Sequence, residues 1–479
     1  MTLNTVPVQQ RRLIRVEVSG VLGEYEHEFD FGDAGEFVII YGPNGVGKTR
    51  VLEIIDALSD VSVSKLVALP FSTAALFYSD GSALRVGKVP AVADDDSEVE
   101  VGPDREDLRF ELSLADGTQR VSQVNASADF NTWLSRMTPW QSIDNSNLWQ
   151  SEIDGEITFF SDLRSRYFPR FRAELRRQGE VPTRKEIDPD ITDFAGDLRV
   201  KLIETQRLTV AQLGGEKRRF GTSESQRNVP TISQNSEQIK QQLDGNLSAN
   251  SRLTQSLDST FPRRMLERGS QSVLTEAELR NKWAEQTTRR ARLTQIADLN
   301  VDPQLSLPDA ELNPWQLSML ELYLEDADRK LASFSEILAK IDLLEEVVNT
   351  RLLGKRLHID ANNGLLVSRT RDRSSIPLTA LSSGEQHEII LMFDLLFNVA
   401  PGSVVLIDEP EISLHIGWQK KFIADVIRVA ALVGFQFCVA THSPQIIDRW
   451  WSSAHRLGPT STEFLGDEPT DLPGGEVAG

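Results

Sequence analysis

Three stretches of the chain predict an α/β fold. Val38-Ile39-Ile40-Tyr41 is a short, mostly β-branched apolar run ending at Gly42, which reads as a buried strand. Val404-Val405-Leu406-Ile407 is a second apolar run, ending on two carboxylates, Asp408 and Glu409, before Pro410. Phe435-Gln436-Phe437-Cys438-Val439-Ala440 is a third, ending on Thr441-His442-Ser443-Pro444. The first strand leads directly into Gly42-Pro43-Asn44-Gly45-Val46-Gly47-Lys48-Thr49, which fits G-x-x-x-x-G-K-[ST]. A periodic segment with Val51, Leu52, Ile54, Ile55 and Leu58 follows and reads as a helix. That order suits phosphate chemistry. Glycines leave backbone N–H groups free to wrap a phosphate, and the helix N-terminus adds a favourable field. Lys48 supplies charge to the β- and γ-phosphates and Thr49 a hydroxyl to Mg²⁺, with Arg50 next in line.

At 479 residues the chain exceeds one typical domain, so two or three are expected. The net charge of −20 argues against a generally basic nucleic-acid binder but leaves room for a local basic patch. A single cysteine, Cys438, excludes an intrachain disulfide framework and a cysteine-cluster metal site, and its apolar surroundings suggest a core residue. No run has the length and apolarity of a membrane span, and the first residues lack the order of a signal peptide. A cytoplasmic setting is the expectation.

In chain order, Leu13–Ser19 alternates apolar and polar residues, Phe29 and Phe31 close a second short strand, and Gly20, Gly23 and Gly32 punctuate the pair. Arg15 or His27 could meet a nucleotide base from this hairpin, or be ordinary surface residues. Residues 74–81 and 110–117 each read as a strand entering a turn at Asp-Gly. Between them, the acidic stretch from Asp94 to Asp107 is expected to be a solvated loop. Six arginines (Arg164, Arg166, Arg170, Arg172, Arg176 and Arg177) crowd a segment with Tyr167, Phe168 and Phe171. An amphipathic helix pair broken near Pro169 accounts for it, and so does a surface for nucleic acid or for a partner's carboxylates. Val200–Ile203 begins a strand whose polar end reaches Gln206. The Ser-, Gln- and Asn-rich residues 217–245 read as loop or linker, and 273–299 and 313–352 as long helices. Leu357–Asp360 and Gly364–Val367 suggest a hairpin, and a helix should follow Leu381-Ser382-Ser383-Gly384-Glu385. Beyond Trp450 the chain is rich in Gly, Pro and acidic residues and is expected to be disordered.

Taken together these motifs resemble an ABC-type ATPase of the branch shared with SMC, RecF and the overcoming-lysogenization-defect family, including ATPases of bacterial antiphage systems. Gly42–Thr49 is similar to Walker A, Leu381–Glu385 to the signature motif, Leu406–Pro410 to Walker B, and His442 to the switch histidine. Gln206 matches the Q-loop glutamine, and Ile412–His415 occupies the D-loop position, with His415 where many transporters have aspartate. The resemblance implies an ABC-type P-loop head with an antiparallel β-subdomain and a helical insertion. The expected divisions are 1–125, an N-terminal lobe with Walker A; 126–195, helical and Arg-rich; 196–210, the Q-loop strand; 211–352, polar linker and helical insertion; 353–450, the C-terminal lobe; and 451–479, the tail. It implies Mg-dependent ATP hydrolysis. Thr49, Asp408 and Gln206 would be at the metal, Glu409 would act on water, His442 at the γ-phosphate, and Ser382, Ser383 and Gly384 would reach the nucleotide of a second copy. A homodimer and a separate effector follow by analogy with Septu, retron and PARIS systems, where an HNH or TOPRIM protein accompanies the ATPase, with DNA or RNA as further candidate partners. Chromosome maintenance or repair, as in RecF, is the alternative.

Overall fold

The structure is a computed structural model that describes residues 11–32, 36–90, 106–124, 187–203, 209–211, 228–269, 272–297 and 309–458, with isolated positions at 307 and between 134 and 170. Leu13–Val21 (β1) and Tyr25–Asp30 (β2) form the expected hairpin, with Val18 opposite His27. Phe37–Tyr41 (β3) leads through the glycine loop into Lys48–Ser59 (α1), followed by Val63–Ala68 (α2). Thr73–Tyr78 (β4), Ala83–Pro90 (β5), Glu106–Ser113 (β6) and Gln119–Val124 (β7) complete a six-stranded antiparallel sheet ordered β2-β1-β4-β5-β6-β7.

The segment expected to be helical and Arg-rich instead holds strands ahead of its Arg-rich part. Trp140–Ser142 (β8), Leu148–Ser151 (β9) and Ile157–Phe159 (β10) pair antiparallel, and Trp140 and Trp149 are buried. Short runs of aromatic and β-branched residues suit a pleated surface better than a helix. Among the described residues helix appears at Leu163, Arg166, Tyr167 and Arg170 in the Arg-rich part, and at Pro189–Asp197 (α3), where Asp188 caps Asp190 N and a proline opens the first turn. Arg166 and Arg170 are exposed; Arg164, Arg172, Arg176 and Arg177 lie outside the described residues.

Val200–Ile203 (β11) is followed by the short pair Thr209–Ala211 (β12) and Asn228–Pro230 (β13). A helix of 38 residues, Thr231–Arg268 (α4), then occupies ground expected to be linker as far as residue 245. The polar composition hid Ile232, Ile239 and Leu243, which share one helix face and are all buried against the core. Glu276–Ala297 (α5), Pro314–Ala332 (α6) and Ser335–Asn349 (α7) follow. Asn313 and Gln316 form a reciprocal capping box at the start of α6.

Lys355–Asp360 (β14), Gly364–Arg369 (β15) and Ser375–Ile376 (β16) form a small antiparallel sheet. Ser383–Phe397 (α8), Val404–Asp408 (β17) and Gln436–Thr441 (β18) appear where the sequence places them, with Ile416–Val433 (α9) between the two strands and the short helix Pro444–Ile447 (α10) after the second. The start of the tail corrects the expectation of disorder. Ala454–Arg456 (β19) runs parallel to β3, and Leu457 N donates to Tyr41 O at 2.7 Å. The five strands β11-β17-β18-β3-β19 make one parallel sheet.

Strand alternation divides the core into two layers. Val38 and Ile40, Val404 and Leu406, and Cys438 and Ala440 face α1 and the antiparallel sheet. Ile39, Val405, Ile407 and Val439 face α7, α8 and α9. Both faces of the parallel sheet are therefore covered, which is why its strands read as unbroken apolar runs. Among the described residues, no helix is long and apolar enough to cross a membrane.

Candidate nucleotide site

The C-terminal ends of β3, β17 and β18 lie side by side, with Tyr41 opposite Thr441 and Asp408 opposite Ala440. This register brings together residues separated by more than 350 positions in the chain. Gly45 and Gly47 both take φ of 86°, a left-handed conformation that costs glycine little. Gly42 is constrained by close approach: a Cβ there would lie 2.4 Å from the Leu457 carbonyl oxygen. Gly47 likewise leaves no room for a side chain beside Val21 at the end of β1.

Lys48 is buried, and its ammonium donates to Gly42 O at 2.9 Å, Pro43 O at 3.0 Å and His442 Nδ1 at 2.9 Å. Burial holds its pKa below the usual lysine value, while Glu409, Glu411 and Asp408 oppose that shift. His442 accepts through Nδ1, so its Nε2 carries the proton and donates to Glu409 Oε1 at 2.5 Å. Lys48, His442 and Glu409 thus form one hydrogen-bonded chain. Thr49 Oγ1 bonds to both carboxylate oxygens of Asp408, at 3.2 and 3.0 Å. Burial is the main reason the Asp408 carboxyl is pushed up to about 6; the neighbouring Glu409, Glu53 and Glu411 add to it, and the Thr49 hydrogen bond opposes it.

The donor set fits Mg²⁺. A desolvated carboxylate beside a hydroxyl is stabilised by a divalent cation, and Mg²⁺ commonly takes one or two protein oxygens, leaving its other positions to phosphate and water. Glu409 holds a left-handed backbone, φ 41°, which is strained for a residue with a Cβ and aims its side chain from the end of β17 toward His442.

Sequence reasoning missed Glu411. Its Oε1 accepts from Thr441 Oγ1 at 2.7 Å, His442 N at 2.6 Å and Ser443 N at 3.1 Å, so it fixes the backbone that carries His442. Gln419 adds a second brace: its Oε1 accepts from Ser443 Oγ at 2.7 Å and its Nε2 donates to Leu414 O at 3.0 Å. The available signal was the second glutamate of Glu409-Pro410-Glu411, on the same side of the turn as Thr441.

The other predicted residues are arranged differently. Ser382 caps α8 in a capping box with Glu385, whose carboxylate also accepts from Lys355 at 2.8 Å. Ser382 and Ser383 are exposed, Gly384 follows in the first turn, and the Ser382 bonds stay within that turn. Arg50 pairs with Glu53 at 2.6 Å on α1, and Pro43, Asn44 and Gly45 are exposed on the loop. Gln206 lies outside the described residues. His27, expected at a base or on the surface, is instead buried with Nε2 2.8 Å from Val46 O. Arg15 lies on the antiparallel sheet and pairs with Glu17 and Glu28. His415 caps α9, accepting from Gly417 N at 3.2 Å. Cys438 is fully buried, and its thiol pKa is raised by that burial.

Residues 218–448 match the family model described as AAA domain, putative AbiEii toxin, Type IV TA system. No curated protein gave a significant match. Among solved structures, the chain is similar to the Smc head domain with an extended coiled coil bound to the C-terminal domain of ScpA, derived from Pyrococcus furiosus, at 14% identity over 91% of each chain with a TM-score of 0.32. It is also similar to the SMC head domain from Thermotoga maritima, at 12% identity over 93% of this chain and 94% of that one, with a TM-score of 0.29. The fold assignment rests on this chain's own topology: a covered parallel sheet, an antiparallel β-subdomain, and a glycine loop between β3 and α1.

Proposed function

We propose that this chain is a Mg-dependent ATPase whose complete sites form between two copies, and that it serves as the sensing or regulatory subunit of a bacterial antiphage system with a separate effector. The observation that carries the ATPase reading is the convergence of Lys48, Thr49, Asp408, Glu409 and His442 at the ends of three adjacent parallel strands. Thr49 and Asp408 would hold Mg²⁺, which supplies charge neutralisation to the phosphates when bound. A phosphate in the loop competes for the three Lys48 protons now given to Gly42, Pro43 and His442. Moving Lys48 off His442 frees Nδ1 to accept from another donor while Nε2–H stays on Glu409. Glu409 is then the group placed to take a proton from an attacking water. Ser382 and Ser383, exposed at the start of α8, are free to face a second copy.

The defence placement draws on the description of the matched family, which names a putative AbiEii toxin and a Type IV TA system. The alternative is a DNA-binding ATPase of repair or chromosome maintenance. Replacing Glu409 by Gln should preserve ATP binding and lower turnover by roughly 100-fold or more, as expected for loss of a general base. Unchanged turnover in protein free of contaminating ATPase would reject the assignment. Phage plating with the intact locus and the Glu409→Gln locus separates the biological readings. Protection lost in the variant supports defence, whereas unaltered plating together with DNA-damage sensitivity on deletion supports repair.

A further inference from the structure

The geometry points to His27 as a positioning residue for the phosphate loop: its imidazole holds the Val46 carbonyl outward and so aims the Gly47 N–H into the phosphate cradle. This rests on the nucleotide reading of the site and names a determinant of affinity within it. His27 lies on β2, opposite Val18, and alternation puts Tyr25, His27 and Phe29 on one side of the strand and Glu26 and Glu28 on the other. The His27 side chain is 4% exposed, and its Nε2 is 2.8 Å from Val46 O.

A carbonyl oxygen only accepts, so Nε2 must carry the proton and donate. Burial lowers the pKa of His27, opposed by its hydrogen bonds to the Val46 and Glu26 backbone. The Tyr25 ring stacks on the imidazole at 6.0 Å with planes 9° apart, fixing its orientation.

The consequence follows from peptide planarity. In a trans peptide the C=O of one residue and the N–H of the next point in opposite directions. Val46 and Gly47 share such a peptide, since the structure contains no cis bonds among the described residues. Holding Val46 O against β2 therefore turns Gly47 N–H away from β2. Helix α1 does not do this work: the helical bond reaching back into the loop runs from Val51 N to Gly47 O. Gly45 and Gly47, both at φ 86°, stand on either side of Val46 with backbone that can rotate easily, so an external anchor helps select one orientation of the Val46–Gly47 peptide. On its other side Val46 packs against Gly458, after β19, where an added Cβ would meet Val46 Cγ1 at 2.7 Å. The loop is thus gripped between β2 and the chain that follows β19.

The test uses the full chain and a fluorescent ATP analogue with Mg²⁺, with thermal denaturation in the absence of nucleotide as a folding control. His27→Phe fills the same space without a donor and should weaken nucleotide binding roughly tenfold, the worth of about one hydrogen bond. His27→Gln keeps an N–H at a similar reach and should recover most of that loss. Turnover at saturating ATP should change much less than KM, because His27 acts on the binding loop and not on the attacking water. If His27→Phe lowers the nucleotide-free denaturation midpoint, the smaller His27→Leu takes its place under the same criterion. Wild-type affinity in a folded variant without the donor would overturn the inference, as would a folded His27→Gln that binds no better than His27→Phe. Absence of binding by the unaltered chain would overturn the nucleotide reading and this inference with it.

Discussion

The parallel sheet and the helical insertion draw on apolar burial and on charge in different proportions. All five residues of β17 are buried, and the strand is apolar until its last position. Helix α4 buries Ile232, Ile239 and Leu243 against the core, but beyond Leu243 Leu257 is its one buried residue. From there a small apolar cluster of Leu279, Leu320 and Leu324 joins α5 to α6, and charge pairs supply much of the rest. Arg264 pairs with Asp326 at 2.6 Å, Arg268 with Glu321 at 3.0 Å and Glu325 at 2.9 Å, and Lys330 with Asp258 at 2.8 Å. Arg292 of α5 reaches Asp342 at 2.6 Å and Glu345 at 2.9 Å on α7. Apolar burial fixes the strand ends that carry the site to within a side chain's width. Charge pairs between long side chains hold the outer helices with more freedom and respond to salt.

Variants can break this contrast where it is sharpest. Among the described residues the core also holds an ionic cluster: Arg351, after α7, contacts Glu388 of α8 and Asp425 of α9, and Glu388 is 1% exposed. Arg351→Met should cost about 3–5 kcal/mol, because it leaves Glu388 charged, buried and unpaired. Denaturant unfolding measures this, and adding Glu388→Gln should return part of the loss. No recovery in the double variant would show that packing, not charge, holds that junction.

Leu406→Ala, at a fully buried position in the middle of β17, should cost about 2–4 kcal/mol with little dependence on salt. Arg264→Ala should cost less, about 1–2 kcal/mol, because the arginine is partly solvated. Its cost should shrink in high salt, and nucleotide affinity should stay at the wild-type value. Equal salt sensitivity for the two variants would erase the distinction between core and insertion.

The smallest effect concerns His358 of β14. A hydrogen bond with Glu345 is the main cause that raises its pKa above 6.5, opposed by partial burial. Protonation therefore favours the folded state. That contribution is fully present below the unfolded-state value of 6.5 and is lost as pH rises through the higher folded value. His358→Gln should lower the denaturation midpoint slightly at pH 5.5 and leave it unchanged well above the raised pKa. An equal decrease at both ends would assign the effect to packing.

Much of the core was legible in the residues themselves. Val38–Thr49 specifies a strand, a loop and a helix within a single local stretch, because glycine tolerance, β-branching and helical periodicity are properties of neighbouring residues. Asp408 and Glu409 were legible for the same reason: an apolar strand ending in carboxylates is a local pattern. What sequence alone did not determine depends on distant partners. Residues 231–245 look like linker until Ile232, Ile239 and Leu243 meet the core that buries them. Ala454–Arg456 looks like tail until β3 offers an unpaired edge. Glu411 and His27 have ordinary local contexts. Only the parallel register of β17, β18 and β3 brings Glu411 under the His442 backbone, and only the β1–β2 hairpin brings His27 to Val46. Propensity and motif are encoded along the chain, whereas a hydrogen bond between residues far apart exists only after the core has chosen which surfaces to bury.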